Sequence, residues 1–324
     1  MTAPPEAPLH HQARDLIVLG EAMMSLVPEH HENLRRSRHL RRLTGGAEAN
    51  VAVAASRLGR QVTWIGRVGD DLPGEGVLDD LRQEGVFLDQ VIVDDSTHTG
   101  IIIREVPAVG PSRVSYARRD SAGARISPED INPAVVAAHT MAHVTGVTAA
   151  LSSSALEAVR FFLRTAREHN VTTVFDLNYR SRLWSPQTAG PVLRELAGMA
   201  AIVSGGIDEW RMAFGVEDIR AIDLSPEKTL VMTAGEGEVT ARVAGEILSA
   251  PSMPAHPQDV VGAGDAFTGG VLSALLAGAD WPTALRQGTY CGARVVSSLG
   301  DWGNLPWGHN GLVAIPESNQ EVMR

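Results

Sequence analysis

The sequence predicts a three-layer α/β fold: a mostly parallel central sheet with helices on both faces, carrying a second, smaller β-sheet. Three observations predict it. From about residue 128 onward, short apolar runs alternate with helix-length amphipathic stretches, as the crossovers of a parallel sheet require. Those runs are short and uninterrupted, the pattern of strands buried on both faces. Segments at about 22–43 and 90–119 break the alternation and read as a meander, so they are expected to form a small separate sheet near the N-terminus.

Taken in order, "DLIVLG" ends a short apolar run at Gly20 and reads as a buried strand. The charged stretch "HHENLRRSRHLRRL" reads as a solvated face or an exposed strand, with a basic site for an acidic ligand as the alternative. In "GGAEANVAVAASRLG", Ala47, Val51, Ala54, Ala55 and Leu58 recur at helical spacing and Gly59 provides a stop. "VTWIGRVG" is strand-like, and "DLPGEGVLDDLRQEG" is a helix entered through Pro73. "QVIVDD", "TGIIIREV" and "RVSYARR" are three strand candidates in series. The alternating part then runs through strands "MAHVTGV", "VTTVFDLN", "AAIVSGG" and "KTLVMTAG". Between them stand the helices "SSALEAVRFFLRTAREHN", "PQTAGPVLRELAGM" and "IDEWRMAFG". Two further helices follow residue 259. A single domain over residues 14–312 is expected, with tails at 1–13 and 313–324.

Composition narrows the function classes. A net charge of -10 argues against a duplex-binding protein. No apolar run approaches the ~20 residues that span a bilayer, and residues 1–13 lack the apolar core of a signal peptide. One cysteine, Cys291, excludes a disulfide framework within the chain, so a cytoplasmic setting is expected. Lys228 is the only lysine, which excludes a lysine grip on phosphate elsewhere. Neither G-x-x-x-x-G-K-[ST] nor G-x-S-x-G occurs, and the pairs His10–His11 and His30–His31 lack metal-ligand spacing.

Ligands of open α/β sheets bind beyond the carboxyl ends of the strands, which selects the loops after Gly20, Asn178, Gly205 and Ala234. Two glycine-rich stretches stand out. In "DVVGAGDAFTGG", Gly262, Ala263 and Gly264 precede a helix, where exposed backbone N–H groups and the helix dipole make an anion site. Asp265 lies in the first turn. It either complements the helix dipole or acts as a general base on a hydroxyl that attacks a phosphoryl group. In "TGGAEAN", Gly45 and Gly46 again precede a helix, and Asn50 lies one turn inside. Its amide can cap a neighbouring turn or hydrogen-bond a polyol.

A Gly-Gly-x-x-x-Asn helix early in the chain, together with D-x-x-G-A-G-D-x-F late in it, resembles the ribokinase-like carbohydrate kinases of the PfkB type. The resemblance covers roughly residues 14–312. It implies ATP-dependent, magnesium-assisted phosphorylation of a sugar-like alcohol, a large αβα domain and a small β-sheet lid. It implies Asp265 as catalytic base and Gly262, Ala263 and Gly264 as the anion hole. Gly45, Gly46 and Asn50 would contact the sugar, and Thr233, Gly235, Gly237 and Gly264 the nucleotide. Glu209 would organise magnesium through water. Asp259 resembles an acid that in some members helps place a monovalent cation, such as K+. Lids in this family often pair between subunits, which implies a homo-oligomer. Two positions depart from the pattern: Gly206 stands where an asparagine is usual, and "TAGEGE" is one residue tighter than the usual glycine loop.

The alcohol is read from arginines. Tyr116 and Arg118 share one face of a strand, and Asp176, Asn178 and Arg180 follow another strand, with Trp184 beyond them. Two arginines suit a carboxylate better than a neutral sugar. The Tyr-x-Arg, the Asn-Tyr-Arg and the closing "GDWGNLP" resemble the 2-keto-3-deoxygluconate kinases, although Ile102 stands where a tyrosine is expected. The expected reaction is phosphorylation of 2-dehydro-3-deoxy-D-gluconate at its 6-hydroxyl. Fructokinase or ribokinase activity, and a non-catalytic sugar sensor on the same fold, are the alternatives.

Overall fold

A computed structural model of the chain describes residues 14–29, 33–107, 113–235 and 237–316. The expected N-terminal tail, both histidine pairs and residues 317–324 of the expected C-terminal tail lie outside the described residues.

The chain opens with β1 (Arg14–Leu19), β2 (Met23–Pro28) and β3 (Leu40–Gly45), then α1 (Ala47–Arg57), β4 (Val62–Gly69) and α2 (Leu72–Gln83). α2 starts as the sequence suggests: Asp71 caps it by accepting from the Gly74 N–H at 2.8 Å, and Pro73 occupies the first turn. Strands β5 (Phe87–Asp94), β6 (Ile101–Glu105) and β7 (Arg113–Ala117) follow. The alternating half comprises α3 (Pro133–Ala137), β8 (His139–Thr145), α4 (Gly146–Ala149), α5 (Ser153–Glu168), β9 (Thr172–Asp176) and α6 (Pro186–Met199). It continues through β10 (Ile202–Gly206), α7 (Ile207–Phe214), β11 (Thr229–Thr233), β12 (Val239–Val243) and β13 (Glu246–Ala250), and closes with α8 (Ala263–Leu276) and α9 (Trp281–Val295).

Nine strands form the large sheet in the order β13-β12-β11-β10-β9-β8-β1-β4-β5, parallel from β11 through to β5. β12 and β13 add an antiparallel hairpin at one edge. Alternation along β1 shows the three layers. Leu16 and Val18 pack with α1, α8 and α9 on one face, while Ile17 and Leu19 pack with α5, α6 and α7 on the other. The second sheet has the order β3-β2-β6-β7, with β2 and β6 parallel and the outer pairs antiparallel.

One boundary of the expected small sheet is corrected. The segment at 90–94 belongs to β5, which pairs in parallel with β4 at the edge of the large sheet. Its alternating half-burial imitates a meander strand because an edge strand is covered incompletely. The hairpin β12–β13 was not foreseen. It turns through Ala244 and Gly245, both at positive φ, so the usual Asn-Gly or Asp-Gly signal is missing. Among the described residues, no helix is long and apolar enough to cross a membrane.

Candidate active site

The carboxyl ends of β1, β8, β9, β10 and β11 and the N-terminus of α8 converge below the small sheet. Between them lies a cavity of about 960 Å³. Gly262 caps α8 with φ 82°, a conformation glycine adopts without strain, and no side chain caps the helix start. The backbone N–H groups of that first turn are therefore available to an anion. A side chain at Gly264 would meet nothing within 4 Å, so the turn is open to the cavity.

Asp265 sits at the base of this opening and is buried. Its Oδ2 accepts from Asn50 Nδ2 at 2.7 Å, and its Oδ1 accepts from Asn178 Nδ2 at 3.4 Å. Burial pushes its carboxyl up to about 6; the Asn50 bond and the charge of Arg180 oppose that rise, and Asp301 adds to it. Asn50 and Asn178 keep their side-chain oxygens buried without a protein partner, and both residues line the cavity. Asn178 holds a φ of 33°, which turns the chain sharply after β9.

On the far wall, Asp176 ends β9 and Glu209 lies in the first turn of α7. Glu209 accepts from the Tyr179 N–H at 2.7 Å and from the Gly206 N–H at 2.8 Å. Burial raises both carboxyls, and the charge of Glu209 raises Asp176 further. Two such acids suit a hydrated divalent cation held together with phosphate oxygens. Among the described residues, no group of three or more His, Cys, Asp or Glu converges as a protein-only metal site, so water and phosphate would complete the shell.

Asp259 is paired with an arginine. Its Oδ2 lies 3.3 Å from Arg104 Nη1, while Arg104 Nη2 lies 2.8 Å from Asp301 Oδ1. A guanidinium already occupies the space between these buried carboxylates, and a second cation there would be repelled.

The remaining predicted residues divide. Gly46, Tyr116, Arg118 and Arg180 line the cavity, Arg180 being exposed and donating to the Tyr179 carbonyl at 3.4 Å. Arg118 is paired with Glu21, whose other oxygen accepts from Ser121 Oγ at 2.8 Å, and it lies 5.3 Å from the centre of the Tyr116 ring. Thr233 and Gly235 line both this cavity and an adjoining one of about 590 Å³, which is walled by Val239, Phe267, Gly288 and Gly292. Gly45 and Gly237 are not among the residues lining these two cavities. A side chain at Gly45 would come within 2.7 Å of Asp301 Oδ2, so that glycine makes room for an acid. Gly237 closes a turn onto the Ala234 carbonyl at 2.9 Å.

The sequence reading missed Glu21, Arg104 and Asp301. Arg104 had a signal: at period two it shares the face of Ile102, placing one charge on the buried side of an apolar strand. Asp301 lies in the "GDWGNLP" stretch that carried the resemblance, but only the fold brings this loop after α9 against Asn50 of α1.

Residues 13–307 match the pfkB family of carbohydrate kinases. A 2-dehydro-3-deoxygalactonokinase from Haloferax volcanii is 34% identical over 96% of both chains. A 2-dehydro-3-deoxygluconokinase from Thermoproteus tenax is 31% identical over 90% of this chain and 91% of its own. The structure of a sugar kinase from Pyrococcus horikoshii in complex with ATP superposes with a TM-score of 0.80 at 26% identity, covering 90% of this chain and 95% of the other.

Proposed function

This chain belongs to the pfkB family of carbohydrate kinases, and we propose that it transfers the terminal phosphoryl group of ATP to the 6-hydroxyl of a 2-dehydro-3-deoxy sugar acid, the gluconate in first place. The observation that carries the reading is the pairing of Asp265 with an uncapped helix start on one cavity wall. A carboxylate there has little use as an anion ligand and a clear one as a base. Asp265 takes the proton of the attacking hydroxyl, whose oxygen bonds to the γ-phosphorus as the bond to the bridging oxygen of ADP breaks. The N–H groups of Ala263 and Gly264 meet the charge of the moving group. Asn50 and Asn178 hold Asp265 with their amide nitrogens and line the cavity beside it. Magnesium bound with the triphosphate neutralises phosphate charge, and Asp176 and Glu209 would hold it through water.

Two features support an acidic sugar. Both relatives that phosphorylate 2-dehydro-3-deoxy acids, by their names, match over nine-tenths of this chain or more. Arg180 stands exposed at the cavity, and among the described residues no carboxylate is hydrogen-bonded to it. Arg118 is held by Glu21, so Arg180 is the freer of the two cations for a substrate carboxylate.

ADP release over a panel of 2-dehydro-3-deoxygluconate, 2-dehydro-3-deoxygalactonate, fructose and ribose tests the reading. The wild type should favour the two acids. Asp265→Asn should lose about 10³-fold or more in kcat while still binding sugar, since general-base catalysis is worth about 10²–10⁴-fold and the anion site is disturbed as well. Unchanged turnover in that variant would exclude Asp265 as the base. Arg180→Ala should reduce kcat/KM for the acids far more than for fructose, and equal losses would remove the carboxylate contact.

A further inference from the structure

Arg104 is an arginine on the inward face of the small sheet. Alternation along β6 puts Ile102 and Arg104 on the buried side, and the Arg104 side chain is 3% exposed. A cation so deeply buried needs partners. It has two, from opposite ends of the last helical pair: Asp259 precedes α8 and Asp301 follows α9. Both carboxylates are buried, with side-chain exposures of 0% and 5%.

The contacts continue toward the chemistry. Asp301 Oδ2 accepts from Asn50 Nδ2 at 3.1 Å, and the same nitrogen donates to Asp265 Oδ2 at 2.7 Å. Arg104, Asp301, Asn50 and Asp265 thus form one unbroken line from the small sheet to the acid at the helix start. The backbone is shaped around it. A side chain at Gly262 would come within 2.5 Å of the Asp301 carbonyl oxygen, and one at Gly45 within 2.7 Å of Asp301 Oδ2. Asp259 fixes the other side by accepting from the N–H groups of Val261 at 3.2 Å and Gly300 at 3.3 Å.

We propose that Arg104 is a positioning residue for phosphoryl transfer. Its two terminal nitrogens hold Asp259 and Asp301 apart and, through Asp301 and Asn50, set the place of Asp265. This rests on the reading of Asp265 as the base. Both contacts are ion pairs, without an aligned hydrogen bond from Arg104 among the described residues, and they spread one delocalised charge between two carboxylates, whereas an ammonium group offers a single point charge. The line also ties the small sheet to the helix start, so that seating the sheet and aiming Asp265 are one event.

Chemical rescue tests it. Arg104→Ala removes the guanidinium and leaves a buried space between two carboxylates that fits a free guanidinium ion. In the full-length enzyme, kcat should fall about 10²-fold, the scale expected when a supporting residue lets a reacting group move by about 1 Å. The KM for ATP should hold. Millimolar guanidinium should recover tenfold or more of that loss, and urea at equal concentration should not. Wild-type kcat in Arg104→Ala, or a folded variant that guanidinium does not restore, would overturn the proposal. Arg104→Lys is the second variant should Arg104→Ala fail to fold: it should lower kcat with little change in KM, and unchanged kcat would count against the role. Asp265→Asn run in parallel keeps the two readings apart. Full turnover there defeats the base assignment, whereas an inactive Asp265→Asn beside an unaffected Arg104→Ala defeats only the present inference.

Discussion

Asp265 shows how one side chain's surroundings set its working range. Burial withdraws solvent from its carboxylate and raises the pKa to about 6, while amide donors from Asn50 and Asn178 limit the rise. In the proposed role of base Asp265 must be deprotonated to act, so activity should be present above that value and lost as pH falls through it. The profile of kcat/KM for the sugar should show an acid limb near pH 6, with a slope of one proton, because this parameter reports the free enzyme. An acid limb at the ordinary aspartate value would mean that another group limits the rate. The placement of Asp265 in the first turn of a helix, beside three small residues, was legible in the sequence. The arrangement that tunes it was not. Asn50 and Asp301 reach it only through tertiary packing, and no local spacing encodes a contact between residues so far apart.

At the scale of elements, α1 carries a second buried acid with a different task. Glu48 follows the glycine pair by two residues and is buried between β1 and β8. Its Oε1 accepts from the Thr145 N–H at 3.0 Å, Thr145 Oγ1 at 2.8 Å and Thr148 Oγ1 at 2.6 Å, joining α1 to the end of β8 and to α4. Gly20 gives it room, since a side chain there would come within 2.3 Å of the carboxyl. Burial raises Glu48 to about 7. The sign follows from linkage. A folded-state pKa above the unfolded one means that the native state holds the proton more tightly, so stability is lost as pH rises from the unfolded value through about 7. Chemical denaturation of wild type and Glu48→Gln between pH 5 and 8 should separate them. Wild type should lose up to ~1.4 kcal/mol per pH unit from this group over that window, and the glutamine variant should lack that component. Parallel slopes would show that Glu48 titrates as it does in the unfolded chain. Elements were legible in proportion to their burial pattern. α1, α5 and the central strands could be read directly, but edge elements could not: β5 resembles a strand of the small sheet, and the β12–β13 hairpin turns through an alanine at positive φ.

For the whole molecule, the question is what keeps water from competing with the sugar. The small sheet covers the cavity; besides Arg42 and Thr44 of β3, which meet Asp80 of α2, three contacts at the cavity fasten it to the body. Arg104 meets Asp259 and Asp301 at the base of α8 and α9, and Arg118 meets Glu21 after β1. The third joins the rim: Arg182, from the loop after β9, donates to the carbonyl of Val114 in β7. It is the outermost of the three, and Arg182 belongs to neither the helix start nor the acid pair. Losing it should loosen closure without disturbing the groups that react. Closure excludes water from the triphosphate and strengthens the electrostatic contacts inside. Arg182→Ala should therefore keep kcat for the sugar within about threefold, as expected of a solvent-facing contact worth about 0.5–1.5 kcal/mol. ATP hydrolysis without sugar should rise in the same variant. Coupled ADP-release assays with and without the sugar acid measure both quantities. A variant with unchanged hydrolysis would show that the sheet closes without this strap, held by the contacts of Arg104, Arg118 and Arg42.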